Sequence, residues 1–481
     1  MKKVLKNFFY QGSYQILIML LPIVTIPIIS RALGAEGVGQ YNFVVSISSY
    51  FILIAGLGLS KYGIREIALV RDHRAELSKK FWELQFFNVI FSLLALMLYF
   101  LMIATFDNRT FYLIQGIAIF ACLFDITWFF SGLEDFKKIT IRNLVVKLVT
   151  FICIVVLIRE ETDLMLYFIL QTTGALVGQL TLWVSVHKKV DFVKVTFKEI
   201  FIHFVPILSF FIARVAINLY ASVNKTLLGI LVSMEAVGLY ASALALNSIA
   251  SLLINTMNVV LIPHMSHLFG KNDDEQMIKV LQKTIHIQLY LTIAATFGLI
   301  AISSKLVPWF FGDGFEELIH IIPLTAPILI VQSLQMAIAA QYLIPRKEMK
   351  DYNISVIVGA IVSIIINLLL TPFIGVYGAI IALFIGFSVI CLLRMRALVK
   401  KTSFRFNYFE ILRYMISGFW MWISIYLMTA SREANLLTTL IQIMIGLFVY
   451  LTVSAVIKAN PIWVFMRTLL NNKKLTRRWK K

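Results

Sequence analysis

Apolar runs of about 20 residues recur along the whole chain, separated by short breaks that are polar, charged or rich in glycine. Fourteen can be marked, at 14–32, 41–60, 81–105, 112–131, 142–158, 164–186, 201–230, 237–262, 284–303, 321–343, 352–371, 377–393, 414–429 and 436–457. At about 1.5 Å per residue each is long enough for a hydrocarbon core of about 30 Å, so the pattern predicts an all-α integral membrane protein with fourteen transmembrane helices. The composition agrees: 60% hydrophobic and 14% charged residues over 481 positions exclude a set of soluble domains.

The polar residues inside the runs carry the functional signal. The seventh run holds Arg214, Asn218 and Lys225, and no Asp or Glu occurs between Glu199 and Glu235. At 100° per residue these three side chains fall within about 40° of one another on one helix face. Charges at membrane depth cost about 2.5 to 3.5 kcal/mol each and face a cavity or a partner. An anionic substrate satisfies this stripe; the alternative is an Arg214 paired with an acid from another helix and a Lys225 that snorkels outward. Asp125, in the fourth run, is the candidate ion-pair partner or proton site. Lys147, one turn and a residue beyond Arg142, is expected to snorkel to the inner interface. The first run adds Gln11 and Gln15 at i, i+4, with Pro22, Thr25 and Pro27, which predicts a kinked, cavity-facing helix. Residues 31–41 (RALGAEGVGQY), opening on Arg31, read as a tight outer turn.

Glu36-Gly-Val-Gly-Gln-Tyr41 is matched 199 residues later by Glu235-Ala-Val-Gly-Leu-Tyr240, each copy in the turn between the first and second spans of a six-span set. The chain therefore reads as two parallel six-helix lobes around a central cavity, 1–199 and 200–396, with helices 13 and 14 and a basic tail in 397–481. Six is even, so the lobes enter the membrane the same way.

The net charge of +19 suggests nucleic acid in a soluble protein, but here placement decides its meaning. With both termini inside, the outer flanks hold only Arg31, Arg109, Arg159, Lys305 and Arg432, and the spans hold Lys147, Arg214 and Lys225. Every other Lys and Arg falls in an inner segment, the positive-inside pattern of a cytoplasmic-membrane protein. The basic connection Arg394 to Arg413 is one of these segments, and 61–80 is another, suited to lipid headgroups. The N-terminal run is too long for a signal peptide and has no small-residue cleavage site, so it is a retained span. Cys122, Cys153 and Cys391 all lie in spans, without metal-ligand spacing. No catalytic residue or metal site is expected, because no aqueous segment carries a Walker motif or nucleophile elbow. Asp313, Glu316 and Glu317 in the longest outer loop are the only footing for a membrane glycosyltransferase or polymerase.

One set of motifs is more specific. Residues 22–34 (PIVTIPIISRALG), 37–41 (GVGQY), Leu57-Gly-Leu with 62–66 (YGIRE), 128–134 (WFFSGLE) and Arg142-Asn143 together resemble the polysaccharide repeat-unit flippases of bacteria. The motifs cover the first third, and the fourteen-span duplicated layout extends the likeness over the chain. The resemblance implies a bacterial cytoplasmic-membrane transporter, not an enzyme. It would carry an undecaprenyl-pyrophosphate-linked oligosaccharide from inner to outer leaflet by alternating access. Its partners would be that lipid-linked glycan, membrane lipids, and a polysaccharide polymerase and glycosyltransferases, with no nucleic acid. No cofactor is implied beyond a coupling H+ or Na+, and His203 and His286 could titrate near neutral pH. On this reading Arg214, Asn218, Lys225, Arg31, Gln11 and Gln15 contact substrate, while Asp125 and Lys147 serve coupling or ion pairing. The same superfamily includes ion-coupled multidrug exporters, whose cationic cargo calls for acids in the cavity.

Overall fold

The computed structural model describes the backbone of residues 2–106 and 109–461. Side chains are described from residue 21 onward within those limits, except at 209–210, 212–214, 216–217, 219–221, 253 and 255. All regular structure among the described residues is helical, and it divides into two compact units, 1–241 and 242–481. Among the described residues twelve helical stretches are long and apolar enough to cross a membrane. One of them, Leu21–Val70, carries two expected spans, and the helix Phe204–Leu231 falls on the seventh. The protein is a multi-pass membrane protein.

The first unit contains α1 (Lys2–Gly56), α2 (Leu59–Val70), α3 (Arg74–Ile103), α4 (Thr110–Ala121), α5 (Thr127–Gly132), α6 (Phe136–Leu157), α7 (Leu164–Trp183), α8 (Phe197–Phe201) and α9 (Phe204–Leu231). It ends on the first turns of α10 (Met234–Gly270). Residues 31–41 are not the loop expected: helical backbone runs through them and breaks only at Gly34 (φ 66°, ψ 176°). A Cβ is disfavoured at that positive φ, so a single glycine does the work of the turn. The seventh span, assigned by the sequence pattern to the second lobe, packs on α1 and clusters with the first unit.

The fourth span is broken rather than continuous. Between α4 and α5 lies a 3₁₀ turn, Cys122–Phe124, and inside a membrane every carbonyl released by such a break needs a partner. All four find one. Asn88 Nδ2 donates to Cys122 O (2.8 Å), Gln85 Nε2 to Leu123 O (2.7 Å), Trp183 Nε1 to Phe124 O (2.9 Å) and Trp128 Nε1 to Asp125 O (3.0 Å). Asp125 itself accepts from the backbone N–H (2.9 Å) and the hydroxyl (2.5 Å) of Thr127. Its carboxylate thus caps α5 and makes no ion pair among the described residues; the side chain of Arg214, its expected partner, lies outside them. Gly174 and Gly178 meet Thr150, Val146 and Arg142 of α6, the close helix packing their spacing predicts.

The second unit continues α10 and adds α11 (Asp274–Phe311), α12 (Leu318–Thr325), α13 (Ile328–Ile338), α14 (Met349–Ile374), α15 (Val376–Lys401), α16 (Tyr408–Thr429) and α17 (Leu436–Val456). It repeats the broken-span device. The helix is interrupted at Ala326–Pro327, and Asn247 and Thr296 donate to the freed carbonyls of Thr325 (2.9 Å) and Ala326 (3.1 Å). Gly375 (φ 58°) turns α14 into α15, and Gly378 lies against the backbone of Leu370 and Thr371. Arg394, expected at the start of an aqueous connection, is instead 2% exposed on α15. Its guanidinium donates to Ser355 Oγ (3.0 Å) and Gln335 O (2.9 Å) and stacks on Tyr352 at 4.7 Å. The helix simply runs on through Lys401.

Candidate functional site

The polar residues of α9 face the second leg of α1, and together they form a ladder. Lys225 Nζ donates to Asn42 Oδ1 at 2.8 Å. Next, Thr226 Oγ1 is 2.9 Å from both Ser46 Oγ and Tyr50 OH. At the other end Ser49 Oγ donates to Ser222 Oγ (2.8 Å) and Asn218 Oδ1 (3.3 Å). The sequence dictates this seam, because 42, 46, 49 and 50 on one helix and 218, 222, 225 and 226 on the other keep the i, i+4, i+7 spacing of one face. Close approach is secured at Gly229, where an added Cβ would stand 2.2 Å from the Phe43 ring.

The two copies of the repeated motif meet beside the ladder. Gly39 on α1 lies against the Met234 carbonyl, and Gly238 on α10 against the Ala35 carbonyl; a Cβ on them would be 1.6 Å and 1.9 Å from those oxygens. Each glycine touches the residue four before the other, a reciprocal crossing that only hydrogen side chains permit. Tyr240, from the second copy, is buried and accepts from Asn224 Nδ2 at 3.1 Å.

Lys225 has no carboxylate within ion-pair distance among the described residues. Its ammonium is held by a neutral amide, not extended to an interface. Asn218 joins the ladder as the stripe requires. The backbone of Arg214 continues the same helix, but its side chain lies outside the described residues, as do those of Gln11 and Gln15. Arg31 is exposed three residues before the break at Gly34 and is not brought to the ladder's hydrogen-bonded rungs.

Lys147 lies eleven residues into α6, about 16 Å along its axis, far from either end. Its side chain lines a cavity of about 160 Å³ between α1, α6 and α7, with Thr25, Thr150, Tyr167 and Gln171 as polar neighbours. Gln171 donates to Tyr167 OH at 3.0 Å, and no described residue pairs with the ammonium. The cation thus stands at mid-helix, exposed, on a cavity lined by both apolar and polar side chains. Sequence reasoning missed Asn42, Ser46, Ser49, Tyr50, Ser222 and Thr226; the helical spacing of small polar residues in two spans was the available signal.

A helical membrane protein with a duplicated Glu-x-Val-Gly-x-Tyr motif, a broken span in each unit and cations inside its spans belongs to the class of multi-pass membrane carriers. More particularly, the chain belongs to the family of polysaccharide biosynthesis proteins, whose model matches residues 4–269. It is 22% identical over 386 residues to a putative O-antigen transporter of Escherichia coli K12, covering 79% of this chain and 92% of that protein. It is also 24% identical over 236 residues to a probable low-salt glycan biosynthesis flippase, Agl15, of Haloferax volcanii, covering 49% of this chain and 50% of the other. Among solved structures the fold matches the lipid II flippase MurJ in an inward closed conformation, with a TM-score of 0.71 at 16% identity over 97% of this chain and all of that one. It matches an inward-facing multidrug transporter of the MATE family with a TM-score of 0.62 at 16% identity, over 82% and 99%.

Proposed function

We propose that this protein flips undecaprenyl-pyrophosphate-linked oligosaccharide units from the inner to the outer leaflet of the bacterial cytoplasmic membrane by alternating access, supplying surface polysaccharide synthesis. The observation that carries the reading is a pair of cations inside the spans with no acid beside them among the described residues: Lys225 on the α1–α9 seam and Lys147 on the α6 cavity. Unneutralised charge at that depth is stable where an anion completes it, and a diphosphate is such an anion. Arg214, one turn before Asn218 on α9, is the principal phosphate contact, because a planar guanidinium donates two parallel hydrogen bonds to phosphate oxygens. The hydroxyl and amide rungs between α1 and α9 are of the same kind as the hydrogen bonds a sugar makes. The seam can therefore exchange its own bonds for those of the cargo at little net cost. Both termini lie on the cytoplasmic side, where the glycosyltransferases build the unit; the polymerase receives it outside. The multidrug alternative needs an unpaired acid for a cationic cargo.

The test is Arg214→Gln in a host lacking its own copy. Surface glycan is lost and the lipid-linked unit accumulates on the inner leaflet at normal protein level, while Arg214→Lys keeps part of the export. Normal glycan with altered resistance to cationic dyes overturns the reading in favour of drug export.

A further inference from the structure

The connection between α7 and α9 presents two unlike faces, and the flipping reading uses neither. Turns at 184–189 and extended backbone at 191–196 carry it from Trp183 to α8, across the foot of α3. One face is held by α3. Arg74 grips the Asp191 carboxylate with two hydrogen bonds (2.7 and 2.8 Å), Trp82 Nε1 donates to Asp191 O (3.0 Å), and Lys79 pairs with Glu199 at 2.5 Å. Val186, Val190 and Ile200 are buried in the core on the same side. Asp191 and Glu199 are the only acids between Trp183 and α9, so α3 takes up all the negative charge of the connection.

The other face is basic and aromatic. Lys188, Lys189, Lys194 and Lys198 are exposed and make no ion pair among the described residues. Phe192 and Phe197 stand between them, 67% and 73% exposed, although both lie outside the apolar runs that end at 186 and resume at 201. These rings are fixed in place: Phe192 packs edge-on against Trp82 at 5.0 Å, and Phe197 stacks on Phe201 at 5.9 Å. Phe201 opens the seventh run, so the apolar surface passes from the connection into the span without a gap. One partner fits a surface that is continuous with a span, studded with rings and basic without compensating acid. That partner is the boundary of a leaflet with anionic headgroups, where rings rest at the top of the acyl chains and lysine stems lie along them with the ammonium at the phosphates. An acidic soluble protein could neutralise the lysines, but it gives no reason for the rings to join the span. The distribution of Lys and Arg reads this side of the membrane as the inner one.

We propose that residues 188–198 form a foot that binds the anionic lipid surface of the inner leaflet and holds the base of α9, the helix of the polar ladder, at that surface. The proposal is independent of the cargo. Its test uses full-length protein with Cys122, Cys153 and Cys391 replaced and a bimane attached at Phe192→Cys, in vesicles of equimolar phosphatidylglycerol and phosphatidylcholine. Spin-labelled phosphatidylglycerol reaches half-maximal quenching at a mole fraction about fivefold lower than spin-labelled phosphatidylcholine, the factor for one lysine engaged at an anionic surface. High salt narrows the difference. Lys188→Gln, Lys189→Gln, Lys194→Gln and Lys198→Gln together abolish it, while the bimane stays quenched by both lipids and the unfolding temperature is unchanged. Quenching by aqueous iodide and by neither lipid marks a solvated loop. Shielding from iodide and from both lipids marks burial against protein, and equal quenching by the two lipids before the lysines are replaced marks an apolar contact blind to charge. Each of these three results overturns the proposal.

Discussion

The glycine crossing sets the sharpest quantitative expectation. In Gly39→Ala the new methyl would sit 1.6 Å from the Met234 carbonyl oxygen, where a Cα–H···O contact needs a carbon–oxygen distance of about 3.3 Å. The obstacle is backbone on a packed helix, so no rotamer change relieves it and α1 and α10 must separate by more than 1 Å. Overpacking of a core costs about 1 to 3 kcal/mol, and a clash this deep belongs at the upper end. That energy lowers the packed arrangement relative to the separated one by about 5- to 150-fold. The assay is alkylation of a single cysteine placed at Ala236, which is 7% exposed, in full-length protein with Cys122, Cys153 and Cys391 replaced. In the regime where reclosing is fast, alkylation tracks the open population and rises by the same factor. Gly238→Ala, 1.9 Å from the Ala35 oxygen, gives a similar rise, whereas Gly270→Ala, with nothing within 4 Å of its new methyl, gives none. Equal alkylation rates and equal unfolding temperatures in all three would refute the crossing as the contact that closes this face.

Other consequences are simpler to read. Ser49→Cys with Ser222→Cys, whose hydroxyl oxygens are 2.8 Å apart, forms a disulfide on mild oxidation. If the seam must part during transport, oxidation stops export and dithiothreitol restores it. Asn42→Ala strips Lys225 of its acceptor and lowers stability by about 1 to 3 kcal/mol in thermal unfolding. Asn42→Asp supplies a counter-ion, so it preserves the fold yet reduces export by competing with the cargo phosphate. Glu199, outside the spans, has its carboxyl brought from an ordinary 4.5 down to about 2, first by the Lys79 ammonium and then by the N–H and hydroxyl of Thr196. A depressed carboxyl stabilises the fold above its unfolded pKa, so this contribution is complete above about pH 4.5 and is lost as pH falls toward 2. Glu199→Gln flattens that part of the acid-unfolding curve.

What the chain discloses before folding follows the range of the forces involved. Burial in lipid acts on whole 20-residue stretches, so the existence of the spans and the order in which they follow one another are written in composition, while their ends are not: α11 begins ten residues before the marked run and ends eight after it. Backbone breaks are less visible. Asp125 reads as a buried charge in search of a cation because the sequence does not say that the helix stops at Ala121; once it stops, one carboxylate oxygen accepts from the N–H and hydroxyl of Thr127. The same blindness placed Arg394 in an aqueous segment, since the pattern marks where apolar residues end and not where the helix does. The stripe on α9 was legible as a face but not as a seam. The partner face offers Asn42, Ser46, Ser49 and Tyr50, and such residues declare themselves only when a second helix brings matching rungs to within 3 Å. Yet the meeting was foreshadowed by the repeat itself. Glycine at position four of both motifs costs helix propensity twice with no local return, and that unexplained cost is settled where Gly39 and Gly238 let the two copies cross backbone on backbone.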